Sequence, residues 1–312
     1  MSQEQRINPA SQLAILLGIW GFCFIAGNIV VIPIWKAMTG VSLLSDPSAM
    51  FNPAYSSANK IVQVTSSLIA FALPALVFAK LVGKYTFSYL RFNTHASWAQ
   101  LFICVVIITA GILASGALAE LNQRIPISKT WASSFQSLED QSNKVVLAMS
   151  NMKTVKDYIL SLLIIALSAA LFEELLFRGA LQQVMVGCTK NIFWGIFITS
   201  TLFSLVHLSF YGFLPRLFLG MVLGYVFQYG KNIWLNMFIH FGNNAIIVTS
   251  MFVLSRQGKL TEQALNDSPS PLYIGLFALI VVAAALLFFK KESRKLQDAA
   301  VLNTESDPFN IH

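Results

Sequence analysis

Charge is what this sequence has least of. Only 11% of its 312 residues are Asp, Glu, Lys or Arg, against roughly 25% in a soluble globular domain. That is too few to cover a water-facing surface of this size. The shortage excludes a soluble enzyme, a disordered chain and a nucleic-acid module. Cysteine is scarce as well. Cys23, Cys104 and Cys188 lie in or beside apolar runs without paired spacing, so neither a disulfide framework nor a zinc knuckle is indicated. They read as small apolar residues in helices. No internal repeat is evident, which argues against an inverted-repeat transporter.

What fills the chain instead is apolar. Hydrophobic residues make up 56% of it, and they fall into long runs. Spans are expected at about 13–35, 61–82, 98–118, 158–186, 192–208, 214–228, 233–254 and 272–289. Crossing a bilayer takes roughly 20 residues; the fifth and sixth runs are the short ones. The first run is longer than a signal-peptide core and lacks a small-x-small cleavage site, so it reads as a retained anchor. The fold class that follows is all-α, a polytopic transmembrane helical bundle of about eight spans. Lipid is therefore a partner, and nucleic acid is not. The net charge of +7 reads as Lys and Arg in loops and tails facing anionic head groups.

The longest polar segment, 120–157, carries Trp131 and Phe135 among Ser, Asn, Gln and Lys. It has room for a short amphipathic helix on the membrane. With that segment set aside, ten Lys and Arg lie on the side of both termini and five on the other. This favours cytoplasmic termini in a multi-pass cell-membrane protein. Three regions are expected: 1–150, with three spans and the polar loop; 151–255, a helical core; and 256–312, the last span and a basic cytoplasmic tail. Gly220 and Gly224 form a GxxxG in the sixth span, read as close packing within the bundle.

Ionisable residues inside spans are few: Glu173, Glu174, Arg178, His207 and His240. Each costs on the order of 2.5 kcal/mol or more at a helix centre when charged and unpaired, and so marks a functional candidate. Glu174 and Arg178 stand at i, i+4 with the acid first, the favourable order for a salt bridge, which fits structural support as well as chemistry. Glu173 points about 100° away around the helix and needs another partner. A carboxyl in low dielectric beside a His can serve as a general base. Phe203 and His207 share a face of the fifth span; His240 and Asn244 share one on the seventh. At about 1.5 Å per residue, Glu173, His207, His240 and Asn244 lie at depths of about 20, 24, 14 and 20 Å from the 186–191 and 231 side. They can meet in one layer, nearer the face of the long loop.

At these residues the chain resembles the CPBP (Abi) family of membrane proteases, which includes the type II CAAX prenyl endopeptidases. Glu173-Glu174-Leu175-Leu176-Phe177-Arg178 is similar to its EExxxR motif, Phe203 to His207 to its FxxxH motif, and His240 to Asn244 to its HxxxN motif. The resemblance covers about 155–255 and marks 151–255 as the catalytic core. It implies a membrane endopeptidase acting on peptides or membrane proteins. Glu173 and His207 would hold and activate a water, His240 and Asn244 would stabilise the oxyanion, and Glu174 and Arg178 would shape the site. Peptide hydrolysis needs a base, a proton donor for the amine and donors for the oxyanion, and these residues supply all three. Metal stays open: Glu173, His207 and His240 are the candidate ligands for a divalent ion such as zinc, yet no H-E-x-x-H is present. Two other readings stand beside the protease, a non-catalytic immunity or scaffold protein of the same fold, and a proton-coupled transporter built on the same Glu and His.

Overall fold

The computed structural model describes residues 7–150, 152–266 and 271–305. Arg6 in the charge count and the end of the basic tail lie outside these. The chain is 84% helical with no strand among the described residues. We number the principal helices α1 Pro9–Thr39, α2 Pro53–Val82 and α3 Trp98–Gln123, α4 Lys129–Met149, α5 Val155–Thr189, α6 Ile192–Leu205, α7 Phe213–Gly230, α8 Ile233–Arg256 and α9 Leu272–Glu305. Eight of the nine match the eight expected spans. Six of those are long and apolar enough to cross a membrane; α6 and α7 are the shorter pair, as the runs suggested. The protein is an integral, multi-pass membrane protein.

Polar caps set the helix starts. Asn8, Ser97, Ser128, Thr154, Asn191 and Asn232 each accept a backbone N–H of the first turn through the side chain, satisfying donors that the apolar run cannot. One turn design occurs twice. Lys190-Asn191-Ile192 joins α5 to α6, and Lys231-Asn232-Ile233 joins α7 to α8. In both, the Lys is left-handed, with φ of 52° and 50°. In both, the Asn caps the next helix on a Trp N–H, Trp194 at 3.2 Å and Trp234 at 2.9 Å. The reversal is complete within two residues, so consecutive helices pack antiparallel.

α5 is the central helix. Every residue from Leu175 to Gln182 is buried, and this stretch is π-helical, a widened turn that often marks a functional site. One core gathers Leu16 of α1, Phe78 of α2, Leu176 and Phe177 of α5, Phe203 of α6, Phe227 of α7 and Met237 of α8. A second joins α3, α7, α8 and α9 through Ile107, Val226, Ile239 and Val282. Outward faces stay apolar, with Phe22, Phe102, Phe277 and Leu287 exposed, as a lipid-facing bundle requires.

Gly220 and Gly224 lie at a contact inside the bundle. A Cβ on Gly220 would meet Ser200 at 3.0 Å, and one on Gly224 would meet Ile196 at 2.6 Å. The close approach of α7 also brings two carbonyls within reach of buried donors on α5. Arg178 donates to Gly220 O at 3.1 Å and Gln182 to Gly224 O at 2.9 Å.

The polar segment differs from expectation in extent. α3 continues to Gln123 rather than 118, and α4 is 21 residues long, not a short helix. α4 is fixed to the turn after α6. Phe135 stacks on Phe210 at 4.6 Å, and Ser209 Oγ donates to Glu139 at 2.8 Å. The three cysteines are free.

Candidate active site

The site is built around Glu174. Its Oε1 accepts from Arg178 Nη1 at 3.0 Å and from His240 Nδ1 at 2.8 Å. Glu174 and Arg178 are both 0% exposed. Arg178 reaches this position because the two residues stand one turn apart on α5, and its guanidinium lies 4.9 Å from the Phe203 ring centroid. The ion pair expected from spacing is present. What spacing did not reveal is that the same carboxylate oxygen also holds the seventh-span His.

That bond orients the imidazole. A carboxylate offers lone pairs only, so Nδ1 of His240 carries the hydrogen. Its Nε2 then faces Glu173, with Oε2 at 3.8 Å. Glu173 is 9% exposed and His240 7%, so both edge the site while Glu174 and Arg178 lie behind them. The partner that Glu173 lacked on its own helix is therefore His240.

His207 is placed differently from expectation. α6 ends at Leu205, so His207 lies in the turn beyond it, not within the fifth span. The helix stops because the next bonds are short turns. His207 N–H bonds Ser204 O and Leu208 N–H bonds Leu205 O, and Leu208 takes a φ of 51°. Asn122 of α3 clamps the far side of this turn. Its side chain donates to Phe210 O at 2.8 Å and accepts from Leu214 N–H at 3.0 Å. The clamp leaves His207 exposed, with Nδ1 2.8 Å from Phe203 O. A carbonyl only accepts, so Nδ1 carries the hydrogen and Nε2 keeps its lone pair. Glu173, Arg216 and His240 are the charges that act on this ring. Phe203 joins the two imidazoles, edge-on to His207 at 4.9 Å and to His240 at 6.0 Å.

Asn244 is one turn beyond His240 on α8 and half-buried. Its Oδ1 accepts from Asn243 at 3.5 Å. Sequence reasoning passed over two buried polar groups that brace the site from behind, Gln182 and Asn236. Asn236 donates to Leu223 O at 2.6 Å, tying α8 to α7 one turn before His240. A signal was there, since an amide inside an apolar run needs a partner.

Among the described residues, no three His, Cys, Asp or Glu side chains gather into a group able to hold an ion. Glu173 and His240 approach each other, but His207 does not complete a ligand set with them, and the residues present do not fit a bound metal.

Fold and site together define a polytopic helical membrane protein with a buried Glu–Arg–His cluster that opens onto a second acid and a second His. Residues 155–246 match the family model described as Type II CAAX prenyl endopeptidase Rce1-like. Over this segment, which contains all three motifs, the chain is similar to that family, the CPBP/Abi proteases. No curated protein and no solved structure gave a match.

Proposed function

We propose that the protein is a membrane-embedded endopeptidase that hydrolyses peptide bonds of membrane-associated substrates. The observation that carries this reading is the contrast between the two adjacent acids. Glu174 is committed to Arg178 and His240 through one oxygen. Glu173 has no such commitment, faces His240 Nε2 and sits at the edge of the site, where a water can reach it.

In this mechanism Glu173 takes a proton from water, assisted by the free Nε2 lone pair of His207. The resulting oxygen attacks the scissile carbonyl. His240 and Asn244 donate to the oxyanion that forms. For that, His240 carries a proton on Nε2 as well as Nδ1. The cluster then holds two carboxylates, one guanidinium and one imidazolium and is neutral, which suits an apolar surrounding. The proton taken by Glu173 passes to the leaving amine, the C–N bond breaks, and the acid is restored to its carboxylate. Glu174 and Arg178 fix the His240 ring and do not touch substrate. No step needs a metal. We place both termini in the cytoplasm of a cell membrane, following the Lys and Arg imbalance.

The test is Glu173→Gln, which keeps the shape and loses the base. Membrane proteomes from cells with wild-type and variant protein are compared for new peptide termini. Cleavage products present with wild type and absent with Glu173→Gln, at equal protein level, are expected. Undiminished cleavage by the variant refutes the mechanism. A non-catalytic or transport role instead predicts no substrate-derived termini in either sample.

A further inference from the structure

Arg216 is the charge the mechanism leaves unused. It stands in the first turn of α7, at the end of the turn that His207 opens. Its guanidinium folds onto Gly212, so closely that a Cβ there would meet Nη1 at 2.1 Å and Cζ at 2.7 Å. Nη1 is buried without a hydrogen-bond partner. Arg216 belongs to none of the ion pairs among the described residues. The acids that act on it from a distance are Glu139 of α4 and Glu173. Glu139 is occupied, accepting from Ser209 Oγ at 2.8 Å. Arg216 in turn acts on His207.

Arg178 shows how this bundle treats a structural cation. Two of its nitrogens are bonded, to Glu174 and to Gly220 O. Arg178 Nε is buried without a partner, as Arg216 Nη1 is, but Glu174 answers its charge. Arg216 combines a buried open donor with no ion-pair partner among the described residues, beside the water-activating pair. A cation placed so is costly and calls for a partner. Resting on the endopeptidase reading, we infer that Arg216 is a substrate-recognition residue that binds a carboxylate carried by the substrate near the scissile bond. A planar guanidinium fits a carboxylate in two-point contact. A peptide offers that group from two sources, its C-terminus or an Asp or Glu side chain.

The experiment uses the full-length protein in lipid nanodiscs and two matched peptide pairs, free against amidated C-terminus and Glu against Gln beside the cleaved bond. With wild type, removing the recognised charge raises KM roughly 10- to 100-fold, the size of a hydrogen bond to a charged group, with little change in kcat. Arg216→Gln brings the KM of the charged peptide to that of the neutral one, and a change in kcat transmitted through His207 is the same for both peptides of a pair. Arg216→Lys recovers part of the preference. Arg216→Met, which removes the charge while keeping a side chain of similar length, gives the same pattern and serves if Arg216→Gln does not fold. The pair that loses its discrimination identifies the source of the carboxylate. Equal wild-type KM within both pairs, or discrimination that survives Arg216→Gln, overturns the inference while the endopeptidase reading stands. A wild type that cleaves none of the four peptides counts against both.

Discussion

Glu174→Gln is expected to destabilise the protein through charge alone. The amide keeps an oxygen where Arg178 and His240 now donate, at 3.0 and 2.8 Å, so both bonds can persist in weaker form. A hydrogen bond to a charged group contributes about 1.5–3 kcal/mol and a neutral one about 0.5–1.5. Two bonds downgraded together lose about 2–3 kcal/mol. That meets the lower end of the roughly 3–5 kcal/mol seen when one partner of a buried pair is removed. Arg178→Met strands the acid instead and leaves Gly220 O without its donor, so it falls in the same range or above. Combining the two removes both charges. The double variant should be more stable than the sum of the singles predicts by about 2 kcal/mol, within the coupling found for residues in one network. Equilibrium unfolding in mixed micelles with graded denaturing detergent, followed by far-UV circular dichroism, gives all four corners of the cycle. Strict additivity, or a Glu174→Gln variant as stable as wild type, refutes the claim that this carboxylate compensates Arg178.

Two further outcomes follow from the same geometry. Because the described His, Asp, Glu and Cys side chains form no metal-holding group, exhaustive dialysis against a chelator should leave peptidase activity unchanged; loss of activity restored by zinc contradicts this. Lys231, in the turn between α7 and α8, has its pKa pulled down to about 8 by burial and by neighbouring Arg91. The unfolded chain binds this proton up to the ordinary lysine range while the folded chain has released it, so stability should rise with pH between about 8 and 10.4; Lys231→Asn, which suits the left-handed position, should abolish that rise in melting-temperature profiles.

The membrane fold was legible because composition and run length are properties of sequence alone. A chain with 11% charge has no soluble solution, and each long apolar run needs its backbone satisfied internally. The Glu174–Arg178 pair was legible for a similar reason, since i, i+4 spacing makes a contact within one helix. Contacts between helices were not. That Glu174, rather than Glu173, receives His240 Nδ1 depends on how α8 rotates against α5. That rotation is set by Asn236 bonding Leu223 O and by packing that no spacing encodes. The depth argument placed the groups in a layer but could not say which nitrogen faces which acid.

The two residues on which sequence reasoning erred or fell short, His207 and Arg216, share a cause. His207 lies in the turn between α6 and α7 and Arg216 in the first helical turn that follows it, and the shape of this turn is fixed from elsewhere in the chain. Asn122 of α3 holds it by two bonds, and Glu139 and Phe135 of α4 hold it by a third and by ring stacking. A helical reading carried α6 through His207, because nothing local announces its end: Leu205, Val206 and Leu208 continue the apolar run. Arg216 is absent from the charges read as lying inside spans, although a span beginning at Leu214 already encloses it. A charge inside a span needs a partner, and that rule singles out Arg216 as it does Glu173. The polar segment 120–157, set aside in counting charges, thus contributes the side chains that hold the site's outer wall. A substitution in α4 such as Phe135→Ala should therefore act on the His207 turn, and through it on catalysis, without touching any of the three motifs.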